Sequence, residues 1–204
     1  MEQLNFMEEM GAEKNLSTPI FDYRPGVFSK EESEFFREKL IRETSWSQKS
    51  ALMYGKEVLT PRLTAWFGDE GTDDAIQGEK SGAFPWTKEL LEIKSRVEKL
   101  AGMSFNSVLL NYYRDGNDSV SWHSDGDGVP GKNMFVVSVS FGQEREFDIR
   151  SKINPQDKFK VLLEDGSYFF MKGDFQDKWQ HRIAKSKKSM KARINLTFRV
   201  ILGK

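Results

Sequence analysis

The 204-residue chain carries 31 basic and 31 acidic residues, so no net field draws it to nucleic acid and any such contact must come from local clustering. Its length suits one domain, and 38% hydrophobic against 30% charged residues suits a folded core rather than a disordered chain. The absence of cysteine excludes disulfides, a thiolate nucleophile and sulfur-ligated metals, so a metal here must use His and carboxylate.

Residues 1–20 are polar and poorly periodic, and are expected to form a flexible arm before a single domain at 21–204. Met1 to Lys14 is acidic and lacks the apolar core of a signal peptide. No later stretch approaches the roughly 18 apolar residues of a membrane span. The expectation is a cytoplasmic protein, nuclear if the source is eukaryotic, monomeric and without a membrane partner.

Ser29 followed by Glu32 has the form of a capping box, and Phe35, Phe36, Leu40 and Ile41 continue at helical spacing to about Glu43. Residues 45–68 read as a hairpin region with Gly55-Lys56 as its turn. A second helix spans 87–100, entered through Pro85 and closed by Gly102, with Leu90, Leu91, Ile93, Val97 and Leu100 as its buried stripe.

Beyond Gly102 the period changes. Residues 107–113, 134–141, 146–150, 159–163, 167–171 and 192–202 are short β-branched or aromatic runs separated by Gly, Asp, Asn and Pro. Two helices ahead of a run of strands predict an α+β domain built on a β-sandwich or jelly roll.

The chain has two histidines, both in this strand-rich half. In Val120-Ser121-Trp122-His123-Ser124-Asp125 an extended backbone would point His123 and Asp125 the same way, and His181 follows in another short extended run. Two imidazoles and one carboxylate on one face of a metal is the ligand set of non-haem Fe(II) oxygenases. An HxD string alone is weak, and by itself His181 reads as a surface residue beside a basic segment. In Arg193-Ile194-Asn195-Leu196-Thr197-Phe198-Arg199 the alternation gives one apolar face and one bearing two guanidiniums. Such a strand is commonly half-exposed. If it lines a sandwich, the two cations need an anionic guest, and a dicarboxylate would serve.

The order Asn111-x-Tyr113-x-Asp115-Gly116, His123-x-Asp125-x-Asp127, Ser138-Val139-Ser140-Phe141-Gly142, Trp179-Gln180-His181-Arg182 and Arg193-x-Asn195-x-Thr197-Phe198-Arg199 resembles the AlkB family of oxidative nucleic-acid demethylases. The likeness extends back to residues 61–69 and 84–86. It implies a double-stranded β-helix core, Fe(II) held by His123, Asp125 and His181, and 2-oxoglutarate held by Asn111, Tyr113, Arg193, Asn195 and Arg199, with O2 as the oxidant. Arg199 would pair with the distal carboxylate and Arg193 would lie near the iron. The implied reaction removes alkyl groups from bases such as 1-methyladenine and 3-methylcytosine in DNA or RNA, releasing succinate and formaldehyde.

On the substrate side the resemblance implies nucleotide recognition by residues 45–84, with Tyr54 as a wedge, Arg62, Trp66 and Phe67 near the base, and Asp127 facing it. Residues 69–79 depart from the family pattern, because acidic residues stand where pocket-wall aromatics are usual. This favours single-stranded DNA or RNA, with duplex as a second substrate. Arg182, Lys185, Lys187, Lys188 and Lys191 are expected near the mouth, within reach of phosphates. The alternatives are a dioxygenase acting on a protein or small molecule, and a binding module without catalysis.

Overall fold

The computed structural model describes residues 15–53, 56–72, 82–125, 135–154 and 156–201. Helix α1 (Lys30–Glu43) starts where its chemistry dictates: Ser29 Oγ accepts from the Glu32 N–H, and the Glu32 carboxylate accepts from the Ser29 N–H at 2.7 Å. Helix α2 (Lys88–Ala101) is capped by Thr87 and stopped by Gly102, whose φ of 69° is costly for any residue with a Cβ. The two helices are joined by Arg96, which forks onto Glu32 at 2.7 and 3.0 Å, and by Lys39–Glu89 at 2.9 Å.

The buried stripe of α2 is narrower than its sequence suggests. Leu90, Ile93 and Val97 are fully buried, whereas Leu91 is 48% exposed. One residue on from Leu90 the helix has turned by about 100°, off the packed face. Phe35 on α1 is turned outward in the same way.

The strands are β1 (Leu16–Ser17), β2 (Phe21–Arg24), β3 (Ser50–Met53), β4 (Lys56–Leu59), β5 (Leu63–Gly68), β6 (Ser107–Tyr113), β7 (Val120–His123), β8 (Val136–Gly142), β9 (Arg145–Ser151), β10 (Lys158–Leu163) and β11 (Ser167–Met171). A short helix α3 (Phe175–Lys178), β12 (Trp179–Ile183) and β13 (Arg193–Arg199) complete the described chain. They form a seven-stranded sheet, β1-β2-β11-β8-β13-β6-β5, and a four-stranded sheet, β10-β9-β12-β7, with β3-β4 as a separate hairpin. All pairings are antiparallel, and the architecture is a jelly roll with helices on one face.

Two differences from expectation lie in the N-terminal half. Leu16 and Ser17 pair with Tyr23 and Asp22, so the sheet takes in residues assigned above to the arm. Lys56 pairs with Met53 and belongs to the strand rather than the turn.

The sequence alternation determines where the two cores lie. Ile194, Leu196 and Phe198 of β13 join Phe36, Leu40, Leu90, Ile93 and Val97 beneath the helices. Phe147, Ile149 and Ile183 of the small sheet meet Phe169 and Met171 of the large sheet in a second core. The polar face of β13 therefore looks into the space between the sheets, and every residue of the strand is buried. The half-exposed alternative for this strand is thereby excluded.

Candidate active site

β7 and β12 pair so that His123 stands directly opposite His181, with ring centroids 4.3 Å apart. Asp125 arrives differently from the expected extended run: β7 ends at His123, and Asp125 lies in the turn beyond it. That turn is held by the Asp125 N–H donating to Gln176 Oε1 at 2.8 Å and by Ser124 Oγ donating to the Trp179 carbonyl at 2.9 Å. The carboxylate is thereby brought to 3.9 Å from His123 Nε2 and 3.6 Å from His181 Nε2.

One ligand atom from each of the three residues lies within 4.8 Å of the others, so the set fits one metal ion. His123 Nδ1 faces the Ser121 carbonyl at 2.8 Å, which assigns the proton to Nδ1 and leaves Nε2 free to ligate. Burial, reinforced by His123, pushes the His181 imidazole down to about 3, so it is neutral at physiological pH. Burial alone would raise the Asp125 carboxyl, but the Arg199 guanidinium beside it, with Arg62, holds it below the usual carboxylate range. Neutral nitrogens and an ionised oxygen are the donors an Fe(II) ion requires.

A cavity of about 240 Å³ extends from this cluster between the sheets, lined by Arg62, Asn111, Tyr113, Arg193, Asn195 and Arg199 among others. Three guanidiniums thus face one carboxylate. That imbalance favours an anionic guest.

The two arginines of β13 stand at different distances from the metal cluster. Arg199 Nη2 donates to Asp125 Oδ1 at 2.6 Å, so Arg199 is the residue beside the metal cluster. Arg193, at the other end of the seven-residue strand, donates from Nη2 to Ser140 Oγ at 3.0 Å and lies 5.1 Å from the Tyr113 ring centre. Its Nε and Nη1 are buried without a hydrogen-bond partner, as are those of Arg199, so what separates the two is the ion pair that Arg199 makes with Asp125. Burial lowers its guanidinium to about 10, still protonated at neutral pH. The difference in placement follows from the register. In this register Arg199 lies toward the turn that carries Asp125, whereas Arg193 lies beside Tyr113 and Gly142.

Asn111 and Asn195 are paired across β6 and β13. Asn195 Nδ2 donates to Ser138 Oγ at 2.6 Å and to the Val139 carbonyl, while Asn111 Oδ1 accepts from Arg62 Nε at 2.8 Å. Arg62 therefore belongs to the cavity wall. Trp66 and Phe67 do not line the cavity: both are buried, Trp66 Nε1 donates to the Thr72 carbonyl, and Phe67 packs on Phe84 within the helix-side core. Trp66 stands opposite Leu109, which does line the cavity. Tyr54, Asp127 and most of the divergent stretch, residues 73–79, lie outside the described residues.

The basic segment begins on the small sheet. Arg182 lies on β12 and pairs with Asp148 at 2.7 Å. The lysines that follow leave the sandwich toward the Arg193 end of β13, and Ser186 N–H donates to the Gly116 carbonyl at 2.8 Å. The sequence reading missed Gln176, which sets the Asp125 turn, and did not single out Ser138 and Ser140, which hold Asn195 and Arg193. For the serines a signal was present, since both alternate onto one face of β8.

Residues 21–199 match the family model described as the 2OG-Fe(II) oxygenase superfamily. Among curated proteins, the chain is 37% identical over 186 residues to alpha-ketoglutarate-dependent dioxygenase alkB homolog 3 of Bos taurus, covering 87% of this chain and 64% of that one. It is 31% identical to human DNA oxidative demethylase ALKBH2, covering 86% of this chain and 71% of that protein. The chain belongs to the AlkB family of 2-oxoglutarate- and Fe(II)-dependent oxygenases. The solved structure of OsALKBH1 shares its fold, with a TM-score of 0.66 at 16% identity over 91% of this chain and 99% of that one. The chain spans somewhat less than two thirds of the length of the alkB homolog 3 relatives. Among the described residues, no helix of this AlkB-family chain is long and apolar enough to cross a membrane.

Proposed function

We propose that this protein removes alkyl groups from nucleic-acid bases by oxidation, with Fe(II), 2-oxoglutarate and O2. The observation that carries the reading is the joining of the His123-Asp125-His181 cluster and the arginine-lined cavity in one space between the sheets. The relatives named as DNA oxidative demethylases support a base as the substrate.

In this reading His123, Asp125 and His181 hold the iron and Arg193 takes the distal carboxylate of 2-oxoglutarate, beside Tyr113. Arg199 neutralises Asp125 and keeps it ionised. Asn195, fixed by Ser138, and Asn111, fixed by Arg62, flank the space between. With iron and 2-oxoglutarate bound, O2 would be the oxidant, taking two electrons from 2-oxoglutarate, which leaves as succinate and carbon dioxide, and two from the alkyl group. The protein positions the guest, excludes water and compensates charge. A duplex substrate must release its base from the stack before it can reach a site between the sheets.

The acidic composition of residues 69–79 offers little stacking surface, and stacking on an aromatic contributes on the order of 1–3 kcal/mol per base. Single strands of DNA or RNA are therefore the favoured substrates. The test is formaldehyde release from 1-methyladenine and 3-methylcytosine in matched single-stranded DNA, duplex DNA and RNA. Release dependent on iron and 2-oxoglutarate is expected, fastest on single strands. Succinate formation with none of these substrates would refute the reading, and a duplex preference lost in Tyr54→Ala would reverse the strand assignment.

A further inference from the structure

His123 is carried by the least supported strand of the site. β7 has four residues, lies at the edge of the small sheet and, among the described residues, pairs only with β12, through His123↔His181 and Val120↔Ile183 with an irregular register between them. Its side chains alternate, so while His123 faces the cavity, Trp122 faces the outside of the sheet.

On that outer face two guanidiniums lie over the indole: Arg150 of β9 at 4.2 Å and Arg182 of β12 at 4.6 Å from the ring. Neither is a loose surface side chain. Arg150 donates from Nε and Nη2 to Gln180 Oε1 at 3.1 and 2.8 Å, and Arg182 donates from Nε to Asp148 Oδ2 at 2.7 Å. The row therefore ties β9 and β12 to β7 directly behind the metal cluster. Trp122 adjoins His123 in the chain, and Gln180 and Arg182 adjoin His181 on either side.

We propose that Trp122, gripped by Arg150 and Arg182, is a positioning residue for the iron ligands, holding the edge strand so that His123 and the Asp125 turn stay in register with His181. The inference rests on the metal reading of His123, Asp125 and His181. It concerns the back of the sheet rather than the cavity. A cation held over a ring face resists sliding of the strand that carries the ring, which the irregular ladder by itself does not. Partners outside the ligand shell typically alter metal affinity by about 10- to 100-fold.

The test is Mn(II) affinity, measured by the loss of the free-ion electron paramagnetic resonance signal at a temperature where every variant is folded. Trp122→Leu keeps apolar bulk but removes the π face, and it should weaken Mn(II) binding by about 10- to 100-fold. Trp122→Phe should restore most of the affinity, because the ring face returns. The double variant Arg150→Gln, Arg182→Gln leaves the indole intact and should bind as weakly as Trp122→Leu. Its normal binding would overturn the proposal even if Trp122→Leu failed to fold. Unchanged affinity in Trp122→Leu, or equal loss in Trp122→Leu and Trp122→Phe, would also overturn it. A wild type that does not bind Mn(II) would instead remove the metal reading on which the proposal stands.

Discussion

Arg193 and Arg199 lie on the same face of one strand, equally buried, and meet opposite fates. At one end Arg199 has a carboxylate at 2.6 Å supplied by the protein itself. At the other, Arg193 has only a serine hydroxyl and a tyrosine ring, and no ion pair among the described residues. Alternation along a strand tells which residues share a face; it does not tell which of them the fold supplies with a counter-charge. The end left short of a counter-charge is where an anionic guest contributes most.

Breaking the paired end should have the largest effect. Asp125→Ala removes a metal ligand and strands Arg199, so turnover and Mn(II) binding should be lost together. Removing one partner of a buried ion pair also costs about 3–5 kcal/mol of stability, which denaturant unfolding would register. Near-normal turnover in that variant would refute the ligand assignment.

The next contrast is one of sign. Arg199→Leu should destabilise the ligand-free protein, because Asp125 is left buried without its cation. Arg193→Leu should leave it as stable or more so, because a desolvated cation without a counter-charge has been removed. Thermal melting of both variants without 2-oxoglutarate checks this, and a matching loss in the two would erase the distinction. The smallest expected effect belongs to Ser140→Ala, which takes one hydrogen bond from Arg193. About 1 kcal/mol is at stake, a change of roughly fivefold in 2-oxoglutarate affinity and little in metal affinity.

Much of the site was legible because short-range chemistry set it. The Ser29–Glu32 box and Gly102 mark helix ends through local hydrogen bonds and φ alone, and the two-residue period of β13 sorted its arginines onto one face. What failed depended on register between distant segments. The Arg199–Asp125 pair joins residues 74 positions apart, and nothing local reveals which arginine reaches the turn. Asp125 left the strand because Gln176, remote in sequence, takes its N–H. Trp66 and Phe67 are buried on the edge strand β5, and their exposure depends on the segments packed over that edge, which no local pattern reveals. Trp122 was passed over because its partners stand on two other strands.

The most direct test of this division of labour is a 2-oxoglutarate titration of the Mn(II)-loaded protein, comparing Arg193→Lys with Arg199→Lys. An ammonium cannot reproduce the guanidinium fork, so each substitution weakens whatever its arginine holds. Arg193→Lys should bind Mn(II) as the wild type does and need much more 2-oxoglutarate for half-saturation, whereas Arg199→Lys should lose Mn(II) affinity first. If Arg199→Lys instead kept full Mn(II) affinity and suffered the larger loss of 2-oxoglutarate, the two ends of the strand would have been assigned the wrong way round.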